Sequence, residues 1–155
     1  MSQQFCGPMI EVRDEWIDYN DHLTDSAYSI VCAAANEAFL ESLGISTQYQ
    51  AETGCTMYTV ESHLRYLAEV HRGAQLRSET FVVAADTKRL QVHTTLFVDE
   101  TAVLTGEYLF LHFDQNSAEV VPFPADRQAA VAAVASDHAG IERPSHVGRG
   151  VGAAR

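Results

Sequence analysis

The chain has 155 residues, 46% of them hydrophobic and 20% charged, with a formal net charge of −11. That length holds one core but hardly two, and no apolar run reaches the roughly 18 residues a membrane span needs. The acidic balance argues against nucleic acid as a partner, and the N-terminus lacks the basic-then-apolar pattern of a secretory signal, so the expected location is cytoplasmic.

In chain order, residues 8–13 (PMIEVR) alternate apolar and polar as a short strand would. From Thr24 or Asp25 to Leu43 the pattern becomes helical. Tyr28, Val31, Ala35, Phe39 and Leu43 follow i, i+3/i+4 spacing, and Gly44 is the expected stop. Ile30, Cys32, Ala33, Ala34 and Ala38 fill much of the remaining circumference, so this helix is expected to be wrapped by protein on nearly all sides. A loop is expected around 48–54. Strands follow at 56–70, 75–85, 89–99 and 102–114, joined by short polar turns as in an antiparallel meander. A second, Ala-rich helix is expected at about 125–136 after Pro122 and Pro124. Cys6, Cys32 and Cys55 are odd in number and lack a C-x-x-C pattern, which predicts reduced thiols.

One strand, one long buried helix and four antiparallel strands give an α+β chain in which a curved sheet wraps a helix, the hotdog arrangement. It is expected to occupy residues 1–140 as a single domain, with 141–155 an irregular C-terminal tail.

The approach to the long helix, EWIDYNDHLTDSAY (15–28), is crowded with carboxylates. Asp14, Glu15, Asp18, Asp21 and Asp25 surround Trp16, Tyr19, His22 and Tyr28, far more acid than a helix cap needs. Asp18-Tyr19-Asn20-Asp21-His22-Leu23, followed by Tyr28, resembles the D-x-x-G-H-hydrophobic…Y signature of acyl-CoA thioesterases similar to 4-hydroxybenzoyl-CoA thioesterase. The stretch VESHLRYLAEVHRG (60–73) resembles the second strand and turn of that family. Within it, the W-[IV]-D-Y-N approach and the T-D-x-x-Y helix start resemble the betainyl-CoA thioesterases of carnitine breakdown. The resemblance implies hydrolysis of a small acyl-CoA, betainyl-CoA to betaine and CoA, with no cofactor. Asp21 departs from the family's Gly, and Asp is among the few residues that tolerate the same left-handed backbone.

Thioester hydrolysis needs a nucleophile or activated water and a holder for charge on the carbonyl oxygen. The resemblance makes Asp18 the catalytic carboxylate, as nucleophile or general base. His22 and Asp25 are expected at the substrate beside it, and Trp16, Tyr19, Asp21 and Tyr28 suit a quaternary ammonium group, which aromatic faces with a nearby carboxylate bind. As simpler roles, Tyr28 is core, Trp16 packs on the sheet, Asp25 or Thr24 caps the helix, His22 shapes the turn, and His93 and His112 are structural or exposed.

Alternation places Thr59, Glu61, His63 and Arg65 on one strand face. This is either a solvated face or, in a hotdog homodimer or homotetramer, one from which Glu61 and His63 would reach the partner's site. Arg65, Arg72, Lys88 and Arg89 are the cations available for coenzyme A. No metal site is expected: Asp18 and His22 have i, i+4 spacing, but they precede the helix and no third ligand is evident. Two other readings compete, a hotdog enoyl-CoA hydratase and a non-catalytic acyl-CoA-binding protein. The first requires D-x-N-P-L-H, where this chain lacks the Pro and has its His one residue early.

Overall fold

In the computed structural model, which describes residues 3–152, the strands are β1 (Phe5–Cys6), β2 (Ile10–Glu11), β3 (Cys55–Tyr66), β4 (Gln75–Ala85), β5 (Arg89–Val98), β6 (Thr101–Asp114) and β7 (Glu119–Val120). The helices are α1 (Asp25–Ser42), α2 (Thr47–Thr53) and α3 (Ala125–His138). All the strands form one antiparallel sheet in the order β1-β4-β5-β6-β3, with β2 beside β4 and β7 beside β6. The fold is the expected hotdog, with α1 against the inner sheet face.

The ends of α1 are set by local chemistry. At its C-terminus Gly44 takes φ 75°, its amide donates to the Glu41 carbonyl at 2.8 Å and the Ile45 amide to Leu40 at 3.0 Å. This is a Schellman closure, tightened by the burial of Leu40 and Ile45. Ala27, Val31, Cys32, Ala35 and Phe39 are almost fully buried, and they meet Leu90, Val92, Leu96 and Leu104 in the core. The expectation of a helix wrapped on nearly all sides needs correction. Ser29, Ile30, Ala33, Glu37 and Glu41 are exposed, because a single sheet covers only one side of a helix.

Other expectations shift for definable reasons. The first strand is two short pieces, β1 and β2, whose register against β4 slips by one residue across Gly7-Pro8-Met9. Proline has no amide to give the ladder, so the pairing breaks there. The expected loop at 48–54 is α2, which starts on the Ser46 hydroxyl accepting the Tyr49 amide at 3.3 Å and ends on Gly54 at φ 75°. Strand β3 stops at Tyr66 rather than 70, because the Leu67 and Ala68 amides both turn to the Val103 carbonyl. A bulge at Val60 also breaks its alternation: Thr59 pairs with Phe110, and Glu61 pairs with the next residue, Leu109. Thr59 therefore does not share a face with Glu61, His63 and Arg65.

The outer sheet face is covered by irregular chain between residues 140 and 152, whereas α3 lies beside β4 on the α1 side, with His138 stacked on Phe39 and Val131 in the core. His138 accepts the Val82 amide on Nδ1 at 3.0 Å, and its Nε2 meets the Gln3 carbonyl. Arg143 donates to the Val83 carbonyl, His146 meets the buried His93 at 2.9 Å, and the Gly148 amide donates to Glu107. His93 and His112 are both buried, in structural roles. In His112 the Nδ1 proton goes to the Val121 carbonyl, so Nε2 accepts from the Tyr49 hydroxyl.

Candidate active site

The segment leading into α1 folds back as a tight hairpin. Ile17 bridges Leu23, the Asp18 amide donates to the His22 carbonyl at 2.8 Å, and the Thr24 amide donates to the Trp16 carbonyl at 2.8 Å. At its tip Asp21 has φ 62°, the left-handed conformation that Gly or Asp can take. Asp18 Oδ1 accepts the amides of Asn20 at 2.8 Å and His22 at 3.2 Å. Desolvation pushes its carboxyl up. The His22 and Asn20 amides outweigh this, so the group lies below its ordinary value and is ionised at neutral pH.

The other carboxylates are accounted for one by one. Asp14 and Asp21 both bind Arg72, the latter at 3.5 Å, and Glu15 pairs with Arg13 at 3.6 Å. Asp25 turns its carboxylate onto the neighbouring Ser26 amide at 2.7 Å. Thr24 stands at the N-cap position, yet its hydroxyl makes no cap bond. The start of α1 therefore lacks an N-cap bond from Thr24, and the Asp25 carboxylate occupies the Ser26 amide in its place.

The three aromatics singled out from the sequence point in different directions. Trp16 packs against the core with Arg13 5.0 Å from its ring centre, and Tyr19 is 97% exposed. Tyr28 is buried, donates to the Ala68 carbonyl at 3.2 Å and packs edge-on against Tyr66. Tyr66 was missing from the sequence-derived set. Its hydroxyl reaches the Asp25 carbonyl at 3.5 Å, so Tyr28 and Tyr66 together flank the start of α1. The only sequence signal for Tyr66 is its place on the same strand face as Leu64.

Glu61 and His63 lie on the outer face, where with Gln91 and Glu107 they line a cavity of about 300 Å³ roofed by Gly148–Gly150. Within one chain this is the face opposite α1, away from the Asp18 turn. Arg65 lies close enough to His93 and His146 to disfavour their protonation. Arg72 sits beside the Asp18 turn, held by Asp14 and Asp21. Lys88 and Arg89 lie at the opposite end of the sheet, Arg89 paired with Asp86 at 2.6 Å. Along β5 from Arg89 to Leu96, which lies level with Tyr66 through Leu104, the separation is roughly 20 Å. A groove of about 430 Å³ runs between Glu37, Leu40 and Glu41 of α1 and Met57 and Tyr58 of β3. A smaller one of about 170 Å³ extends it toward Ser29 and Ala33.

Comparison with known proteins places this geometry. Residues 12–131 match the model of the thioesterase-like superfamily. A betainyl-CoA thioesterase of Pseudomonas aeruginosa is 33% identical over 154 residues, 98% of this chain and 97% of that protein. An L-carnitine dehydrogenase/betainyl-CoA thioesterase of Agrobacterium fabrum is 37% identical over 93% of this chain, which spans 30% of that longer protein. Among solved structures, a hypothetical protein of Staphylococcus aureus in complex with CoA superimposes with a TM-score of 0.91 at 25% identity, covering 99% of this chain and 98% of that one.

Proposed function

The chain belongs to the thioesterase-like superfamily and is an acyl-CoA thioester hydrolase, and from that premise we propose that it cleaves betainyl-CoA to betaine and CoA, with Asp18 as its catalytic carboxylate. The observation that carries the substrate assignment is the end-to-end match with a betainyl-CoA thioesterase, 98% of one chain against 97% of the other. The chemistry rests on Asp18. Two amides hold Oδ1, leaving Oδ2 either to attack the thioester carbonyl, giving an acyl anhydride and CoA thiolate, or to take a proton from attacking water. The first-turn amides of α1 receive the negative charge on the carbonyl oxygen. Held below its ordinary value, the carboxylate stays ionised, the state that both routes require.

In this reading the trimethylammonium group lies near Asp25, Tyr28 and Tyr66, with His22 at the rim, while Trp16 on the core and Tyr19 in solvent stand outside the cage. Asp21, already shared with Arg72, supplies long-range charge. The enzyme is at least a homodimer and acts in the cytoplasm. Support for the dimer comes from the free edge of the 12-residue strand β3, beside which Ile30, Tyr58, Val60, Tyr66 and Leu67 are exposed. An isologous pairing of two β3 edges runs them antiparallel, so one chain's Lys88 and Arg89 come alongside its partner's Asp18 end. That brings cations for the CoA phosphates within reach of a site that one chain alone does not supply. Against a hydratase reading, the His22 Nε2 is directed to Glu69 at 3.3 Å rather than to Asp18.

A panel of acyl-CoA esters assayed for free thiol release tests this function. Betainyl-CoA should be turned over fastest, with hydration of an enoyl-CoA undetectable. Binding without thiol release would overturn it.

A further inference from the structure

Two residues that the thioester chemistry leaves aside, Glu69 and His71, meet His22 of the Asp18 turn. Val70 and Leu23 are buried, and the Leu23 amide donates to the Val70 carbonyl at 2.7 Å. Alternation therefore turns Glu69 and His71 on one segment, and His22 on the other, away from the core. His22 and His71 face each other across an antiparallel bridge, with ring centres 4.9 Å apart. Glu69, two residues before His71, brings Oε2 to 3.3 Å from His22 Nε2. One donor atom from each residue lies within 4.8 Å of the other two.

From this geometry we propose that His22, Glu69 and His71 form a binding site for a divalent cation of the zinc class. Two imidazole nitrogens and one carboxylate oxygen suit Zn²⁺, Co²⁺ or Ni²⁺ rather than Mg²⁺ or Ca²⁺, which favour all-oxygen shells. Tetrahedral zinc with bonds of about 2.1 Å sets its ligand atoms roughly 3.4 Å apart. The His22–Glu69 pair already has that spacing, and rotation of the exposed Glu69 and His71 side chains closes the rest. The backbone is fixed in advance. The His22 carbonyl takes the Asp18 amide, the His71 carbonyl takes the Ala74 amide, and the Leu23–Val70 bond lies between them. Only side-chain rotors are then ordered on binding. Among the described residues neither Glu69 nor His71 has another ion pair, and the neighbouring Arg72 charge is matched by Asp14 and Asp21. Solvent fills the fourth position.

The sequence hid this site because its ligands lie nearly fifty residues apart. Asp18, the i, i+4 neighbour that draws the eye, instead turns Oδ1 to backbone amides.

The test is calorimetric titration of the untagged, chelator-treated full chain with ZnCl₂, with MgCl₂ as control and Co²⁺ absorption to report ligand type. Wild type should bind one zinc per chain with micromolar affinity and no comparable magnesium. Its cobalt spectrum should lack a thiolate charge-transfer band, which separates this site from the exposed Cys6. His71→Ala and Glu69→Gln should each weaken zinc at least about tenfold. Their metal-free thermal midpoints should match wild type, showing that the fold is intact. No zinc binding at submillimolar concentration, unchanged affinity in His71→Ala, or a thiolate band would each overturn the proposal. The readout is binding, so it stands or fails independently of the betainyl-CoA assignment.

Discussion

His93 makes stability depend on pH. Its side chain is 1% exposed, lies 5.0 Å from the Phe81 ring and meets His146 Nε2 at 2.9 Å. Burial, with His146 and Arg65 adding like charge, lowers its pKa from the ordinary 6.5 to about 4. A depressed histidine is neutral in the fold, while the unfolded chain binds the extra proton first. Its stabilising contribution is thus complete above about pH 6.5 and is lost as pH falls toward about 4, following the proton linkage. A shift of that size corresponds to about 3 kcal/mol in the acid limit, and to about 2 kcal/mol by pH 5. The perturbation is His93→Gln, which cannot titrate. Urea unfolding of both proteins at one protomer concentration, at about pH 7.5 and about pH 5, isolates the His93–His146 pair, because His138 and the carboxylates away from it contribute alike to each. Wild type should lose about 2 kcal/mol more than the variant over that interval. Equal losses would show that His93 is solvated or protonated in the fold, and would refute the reasoning.

Asp18→Asn keeps the shape of the turn but removes the charge, so turnover should fall at least about 10²-fold with an unchanged thermal midpoint; near-wild-type turnover would remove Asp18 from the chemistry. Asp21→Gly relieves the left-handed backbone but gives up the Arg72 contact, so stability measured by urea should change by less than about 1 kcal/mol. Cys32 is buried with its thiol pushed up to about 11, so a thiol reagent near neutral pH should label Cys6 in the native chain and reach Cys32 only on unfolding.

Local signals were legible where local chemistry decides. Gly44 stops α1 as the pattern predicts, and Asp21 takes the conformation that a Gly-to-Asp replacement demands. The same vocabulary was present at Ser46 and Gly54, but seven residues with a single buried side chain, Tyr49, leave no periodicity to read in α2. The Val60 bulge was out of reach. An extra residue in a strand is defined by the partner strand, and nothing within TMYTVESH marks which residue is unpaired. The carboxylate cluster shows the same limit. Asp14 and Asp21 look like surplus acid until Arg72, some fifty residues away, folds between them. Asp25, Tyr28 and Tyr66 met only through the end of β3, so the aromatic neighbourhood of the helix start depended on tertiary contact.

The central claim, a thioesterase whose acyl group is a cation, is tested most directly by one ratio. Betainyl-CoA is compared with an ester carrying a tert-butyl group in place of trimethylammonium, equal in shape and lacking only the charge. Each aromatic ring well placed on a desolvated ammonium is worth on the order of 1–2 kcal/mol, so kcat/KM should favour the cation by about tenfold or more. Equal kcat/KM for the two esters would contradict the account and leave the acidic approach to α1 as a device for holding its turn.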